Sequence, residues 1–238
     1  MTRYHKNYLI SLMLVIVIFN CSNRQVIKED EYYLQRKAMV EHQLKDRGIH
    51  NQRVLDAMLK VPRHKFIPEG YKRFSYNDSP VPIGYDQTIS QPYIVAYMTE
   101  ILNPDSSQKI LEIGTGSGYQ AAVLSQLYKE VYTIEIIKPL GENAKKIFEE
   151  EGYKNVRAKI GDGYQGWKDY APYDAIIVTC APENVPQPLV EQLAEGGKMI
   201  IPVGGLNSQV LYLLEKRKGK VRTTETLPVL FVPMTREK

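Results

Sequence analysis

The sequence predicts an α/β fold: a doubly wound, mostly parallel, Rossmann-like sheet with an N-terminal helical extension and a C-terminal β-hairpin. Three observations carry this. From Tyr93 onward, short apolar runs alternate with longer amphipathic stretches, the pattern of repeated strand–helix units. The first such run, Lys109–Ile113, stops at Gly114, Gly116 and Gly118, and Tyr119–Leu124 behind them reads as the start of a helix. The tail from Gln209 to Leu227 looks like two strands turning at Gly219, the signature of a hairpin.

The first 25 residues stand apart. Arg3 and Lys6 precede an apolar stretch over 8–19. That stretch is shorter than the roughly 20 residues that span a bilayer and has the flanks of a signal-peptide core. Cys21 follows it directly, as in a bacterial lipoprotein site, although Phe19 and Asn20 depart from the small residues usual there. The expectation is a leader over 1–25 that exports the chain to the periplasm or anchors it to a membrane, with Cys21 as the lipidation candidate. An uncleaved anchor or a misassigned start codon, with a cytoplasmic protein, is the other reading. The fold is then expected within 26–238, with 30–92 as a substrate-side cap and 93–238 as the core.

Within the cap, residues 30–65 read as helical. Tyr33, Met39, Val40 and Leu44 carry part of one apolar stripe and Val54, Leu55, Met58 and Leu59 a second. Gly48 separates the two helices and Pro62 closes the second. From 66 to 92, Pro68, Pro80, Pro82, Pro92, Gly70 and Gly84 leave no room for a long element. The same stretch holds Phe66, Ile67, Tyr71, Phe74, Tyr76, Val81, Ile83 and Tyr85. It is too apolar for disorder and reads as an ordered lid or wall over a site.

The core follows in order. A helix over 94–102 precedes the strand at 109–113, and a helix runs from the glycine loop to about 127. A strand at 131–134 ends at Glu135, and a helix follows near 140–151. A strand at 156–160 ends in Gly161-Asp162-Gly163. A strand at 174–179, a short helix at 188–193, a strand at 198–203, the hairpin and a last strand near 229–232 complete the chain.

Composition narrows the function. A net charge of +4 over 238 residues is small for a dedicated nucleic-acid binder; no nucleic-acid partner is expected. The run Lys216-Arg217-Lys218-Gly219-Lys220 reads as a solvated hairpin tip. Cys21 and Cys180 give no ligand spacing, and His5, His42, His50 and His64 are scattered. Neither a metal centre nor a Cys/His catalytic pair is expected. The chain is expected to be monomeric.

In a doubly wound sheet, ligands sit beyond the carboxyl ends of the strands, at the switch point. Gly114, Gly116 and Gly118 fall there, and glycines let the backbone approach a ligand closely. The dinucleotide fingerprint needs a glycine where Tyr119 stands, and a phosphate-cradling loop needs a lysine after its last glycine. Neither is present. Instead Glu112, Glu135 and Asp162 stand at the ends of three successive strands. Any one of them alone is as readily a cap. Three at matching ends, without a phosphate clamp, suit a nucleoside that lacks phosphates and carries an amine. S-adenosyl-L-methionine is such a ligand.

The glycine loop resembles that of class I S-adenosylmethionine-dependent methyltransferases. The segments "VPRHKFIP", "DSPVPIGYDQTISQPYIVAYMTEIL", "LEIGTGSGYQAAVL", "GDGYQGW", "PYDAIIVT", "QLAEGGKMIIPVG" and "FVP" occur in that order. Together they resemble the protein-L-isoaspartate O-methyltransferase family over nearly all of the chain after the leader. The resemblance implies that Glu112, Gly114, Thr115, Gly116 and Gly118 hold the methionine part of the cofactor, Glu135 the ribose, and Asp162 and Gly163 the adenine region. It implies that Thr88, Ile89 and Ser90 face the substrate, with Ser90 as the catalytic residue. Cys180 stands where a small alanine is common. The implied partners are isoaspartyl-containing peptides and damaged proteins.

The implied chemistry fits the residues on offer. An isoaspartyl residue leaves its α-carboxylate free, and that group is ionised at neutral pH. It needs no general base, only alignment and exclusion of water. A hydroxyl such as Ser90 and nearby backbone N–H groups can orient it. Two other readings stay open: a methyltransferase of this fold acting on a small molecule, and an exported binding module that retains the fold. Tyr119 disfavours a nicotinamide oxidoreductase.

Overall fold

A computed structural model describes residues 31–236. The leader expected over 1–25 lies outside the described residues. Among the described residues no helix is long and apolar enough to cross a membrane.

The chain enters as α1, helical over 31–38 and continued by a π-helical stretch at Met39–Leu44 and a 3-10 turn at Lys45–Arg47. Gly48 stops it with φ 94°, the left-handed C-cap expected of glycine. Helix α2 (Gln52–Lys60) starts at Asn51, whose side chain accepts from the N–H groups of Arg53 and Val54, an N-cap that satisfies two otherwise orphaned donors. Met39, Val40, Leu44, Val54, Leu55 and Met58 are buried as the stripes require. Tyr33 is not: at 47% exposed it lies off the stripe, because the helix turns its near-neighbours inward instead.

The proline-rich stretch is ordered, as its apolar content predicts. It forms 3-10 turns at Arg63–Phe66 and Glu69–Phe74 and a hairpin of β1 (Val81–Gly84) and β2 (Gln87–Ile89). Tyr85 and Asp86 turn the hairpin with φ 54° and 56°, the positive pair of a tight two-residue turn. Helix α3 (Pro92–Ile101) begins with proline at its first position, where a missing N–H costs nothing.

The seven-stranded sheet has the order β5-β4-β3-β6-β7-β8-β9. Strands β3 (Lys109–Ile113), β4 (Glu130–Glu135), β5 (Val156–Ile160), β6 (Tyr173–Val178) and β7 (Leu193–Gly205) are parallel neighbours. β8 (Ser208–Arg217) and β9 (Lys220–Val229) add antiparallel. Helices α4 (Tyr119–Leu124) and α5 (Lys138–Glu150) make the first crossovers, and α6 (Gln187–Glu191) precedes β7. The chain switches sides of β3 between β5 and β6, which puts the switch point at the carboxyl end of β3.

Period-two alternation along the strands sorts two cores. Ile110, Val131, Ala175 and Ile177 pack with α2, α3 and α4 on one face. Leu111, Ile113, Ile134, Ile176, Val178 and Met199 pack on the other. Two expectations are corrected. Helix α4 ends at Leu124 rather than near 127, where Asn155 Nδ2 donates to the carbonyls of Ser125 and Tyr128 at 2.9 and 3.1 Å. No separate strand occupies 229–232. β9 already ends at Val229, and the chain crosses to the loop after β6, where Ala181 N donates to Val232 O and Met234 N to Ala181 O, both at 2.8 Å.

Candidate active site

The loop after β3 is shaped by three left-handed glycines, with φ 96° at Gly114, 52° at Gly116 and 90° at Gly118. A β-carbon on Gly114 would meet Thr179 Oγ1 at 2.6 Å, and one on Gly118 the Phe148 ring at 2.8 Å. Glu135, at the end of β4, grips the loop: Gly116 N donates to its Oε2 at 2.7 Å and Ile137 N to its Oε1 at 2.8 Å. The β1–β2 hairpin closes over the same loop, with Ile83 Cδ1 3.4 Å from where a β-carbon on Gly116 would lie.

A cavity opens above this loop. Its wall runs through Gly114–Ser117, Glu135–Ile137, Gly163, Thr179–Cys180 and 232–235, and is closed on one side by Gln87–Ser90. Of the residues singled out from sequence, Thr88, Ile89, Ser90, Gly114, Thr115, Gly116, Glu135 and Gly163 line it; Glu112, Gly118 and Asp162 do not. Gly118 is spent on packing against α5. Asp162 caps the turn that follows it, accepting from Tyr164 N at 2.9 Å. Gly163 has no room for a side chain, since a β-carbon would sit 2.5 Å from Ile113 Cγ2.

Glu112, expected to help hold the methionine part of the cofactor, does not reach the cavity wall. It lies behind the loop, 0% exposed, on the face packed by the helices. Thr133 donates to its Oε2 at 2.5 Å, while Oε1 has no hydrogen-bond partner. Burial pushes this carboxyl up to about 8, the Thr133 bond works against that rise, and the charge of Glu135 adds to it. Cys180 is half-buried in the cavity wall, and desolvation and both glutamates raise its thiol. It is protonated and therefore a poor nucleophile.

Sequence reasoning missed the segment 232–235, Thr179 and the isoleucines after Glu135. The "FVP" segment was the available signal, but it carried no role. Gln209 pins that segment: its Oε1 accepts from Phe231 N at 2.6 Å and its Nε2 donates to Phe231 O at 3.1 Å.

A second groove adjoins the first. It is bounded by Pro80, Gln91, Ile94, residues 207–210 and residues 228–232, and it shares Thr88, Ser90, Thr179 and Val232 with the cavity. No aspartate, glutamate, lysine, arginine or histidine lines it. Alternation in β2 sends Ile89 into the core at 4% exposed and leaves Thr88 and Ser90 at the partition between the two spaces.

The observed glycine cradle, the buried half-partnered carboxyl beneath it and the apolar isoleucines beside Glu135 fit an aminoacyl nucleoside such as S-adenosyl-L-methionine. Comparison with known proteins agrees. Residues 34–238 match a family model described as protein-L-isoaspartate(D-aspartate) O-methyltransferase. The chain is 54% identical over 201 residues to a protein-L-isoaspartate O-methyltransferase of Gloeobacter violaceus, covering 84% of this chain and 98% of that one. It is 48% identical over 231 residues to protein-L-isoaspartate O-methyltransferase 2 of Shewanella sediminis, covering 95% of each. Among solved structures, a Plasmodium falciparum chain of the protein-L-isoaspartate (beta-aspartate) methyltransferase type, in complex with S-adenosyl-L-homocysteine, superposes with a TM-score of 0.76 at 28% identity. That match covers 85% of this chain and 99% of that one.

Proposed function

The chain belongs to the protein-L-isoaspartate(D-aspartate) O-methyltransferase family, and from that premise we propose how its residues divide the work. The protein is an S-adenosylmethionine-dependent carboxyl methyltransferase that acts on isoaspartyl residues. S-adenosyl-L-methionine supplies an electrophilic methyl group. The glycine loop, Glu135 and Gly163 hold the cofactor, and the neutral groove takes the peptide.

The observation that carries this division is the shared partition. Ser90 and Thr88 line both spaces, so a carboxylate in the groove meets a hydroxyl where the two open into each other. The isoaspartyl α-carboxylate is already the nucleophile. A lysine or arginine beside it would bind its charge tightly and blunt it; a neutral wall with hydroxyl donors orients it without protonating it. Ser90 is the donor placed for this, and the hairpin above it excludes water. The methyl ester formed cyclises to a succinimide, whose hydrolysis returns part of the damaged residue to normal aspartate.

Incubation of the full chain with methyl-labelled S-adenosylmethionine and two peptides, identical except for isoaspartate or aspartate, tests this. Base-labile label is expected on the isoaspartyl peptide alone. Label on neither peptide would sink the reading in favour of a small-molecule methyltransferase.

We also propose that the protein is exported or membrane-anchored through its N-terminal segment. Arg3, Lys6, the apolar stretch over 8–19 and Cys21 support this. Cell fractionation checks it: the wild-type chain should be recovered with the membrane or periplasmic fraction, and a chain lacking residues 1–25 with the cytoplasmic one. A soluble cytoplasmic wild-type chain would overturn it.

A further inference from the structure

Beneath the glycine loop, three side chains form a continuous hydrogen-bonded run. Thr133 Oγ1 lies 2.5 Å from Glu112 Oε2 and 2.6 Å from Thr115 Oγ1. Glu112 and Thr133 are 0% exposed, and only Thr115 reaches the cavity wall. The strands impose this arrangement, because Glu112 and Thr133 are direct partners across β3 and β4.

A hydroxyl carries one proton, so Thr133 can donate to only one neighbour. With Glu112 ionised, Thr133 donates to it and Thr115 donates to Thr133. Thr115 then presents lone pairs toward the cavity. With a proton on Glu112 Oε2 the run reverses: Glu112 donates to Thr133, Thr133 to Thr115, and the Thr115 proton turns outward. A cationic ammonium at that wall requires an acceptor, which is the first state.

The surroundings favour the second state when no cation is near. Glu112 is fully buried and Oε1 has no partner. The titratable groups acting on it or sharing its field are Glu135 at the end of β4 and the Cys180 thiol beyond β6. No cationic side chain contributes.

We propose that Thr133 is a positioning residue that couples cofactor binding to the ionisation of Glu112, so that arrival of the cofactor's ammonium expels one proton from the protein. The Glu112 O–H bond breaks, the proton passes to solvent, and the two threonine hydroxyls turn toward the new carboxylate. This rests on the cavity being the cofactor site. The sign follows. The empty protein keeps this proton below about pH 8, whereas an ordinary glutamate sheds it near 4.5. Cofactor affinity therefore rises with pH across that window, while the stability of the empty protein falls across it.

The test is calorimetric titration of the full chain with S-adenosyl-L-homocysteine, which carries the same ammonium and no transferable methyl group. Run at one pH in buffers of different ionisation enthalpy, it counts protons. At least about half a proton should be released per ligand at pH 7, with affinity rising several-fold per pH unit from about 5.5 to 7. Glu112→Gln should release none and flatten the pH profile. Thr133→Val should lower the proton count in a folded protein, and Thr133→Ser should restore it. A merely structural Thr133 would lower affinity equally at every pH and leave the proton count unchanged, which overturns the proposal. Tight binding by the wild-type chain without proton release overturns it alone; a folded chain that binds no ligand overturns the cofactor reading as well.

Discussion

Ser90→Ala is expected to lower kcat by about a hundredfold, the loss that a misplacement of about 1 Å between reacting groups brings, with the Kd for S-adenosyl-L-homocysteine unchanged within about twofold. The reason is positional. Ser90 follows a hairpin whose conformation is over-determined: Tyr85 and Asp86 set the turn, Val81 pairs with Ile89, and Ile89 is anchored in the core at 4% exposed. The alanine variant keeps all of this and loses only the hydroxyl. The carboxylate still enters the groove but is no longer aligned, so the loss falls on turnover. Single-turnover methyl transfer combined with a binding titration separates the two. An equal loss of cofactor affinity would assign Ser90 to the wrong side of the partition.

Gly114→Ala should damage both cofactor affinity and stability. At φ 96° the new side chain costs about 1–2 kcal/mol in backbone strain. Its β-carbon would also lie 2.6 Å from Thr179 Oγ1, the hydroxyl whose single proton has the carbonyls of Gly114 at 2.7 Å and Ile113 at 3.0 Å as acceptors. Displacing Thr179 removes that bond, at about 1 kcal/mol, and shifts a wall shared by cavity and groove. The expected result is a melting temperature lower by roughly 5–10 °C and cofactor affinity weakened by at least about tenfold. Gly70→Ala is the control, since a β-carbon there has nothing within 4 Å, and it should change neither quantity. If Gly114→Ala bound the cofactor normally, the loop would not be the cradle described here.

Several features were legible without coordinates because their causes are local. The strand–helix alternation, the Gly48 stop, the ordered proline-rich wall and the tail hairpin each follow from residues within a few positions of one another. The same holds for the glycine loop, whose left-handed conformations only glycine adopts cheaply, and for Glu135, whose place at a strand end is a matter of counting. Glu112 shows where such counting stops. The strand's alternation turns its side chain away from the cavity, and whether that direction meets water, ligand or packed helices depends on α2, α3 and α4 lying across the face. Its partner Thr133 stands on another strand, and nothing in the intervening sequence announces the pairing. Thr179 and Gln209 were equally silent, and the "FVP" segment carried no role. They join the site only because β3 takes β6 as its neighbour and because the chain, after β9, returns to the loop following β6. Sequence by itself determined the fold class, the cofactor loop and the ordered wall that carries Ser90. Tertiary structure decided which acids touch the cavity and which stay buried, and what closes the groove, because strand order and burial are set by contacts between residues far apart in the chain.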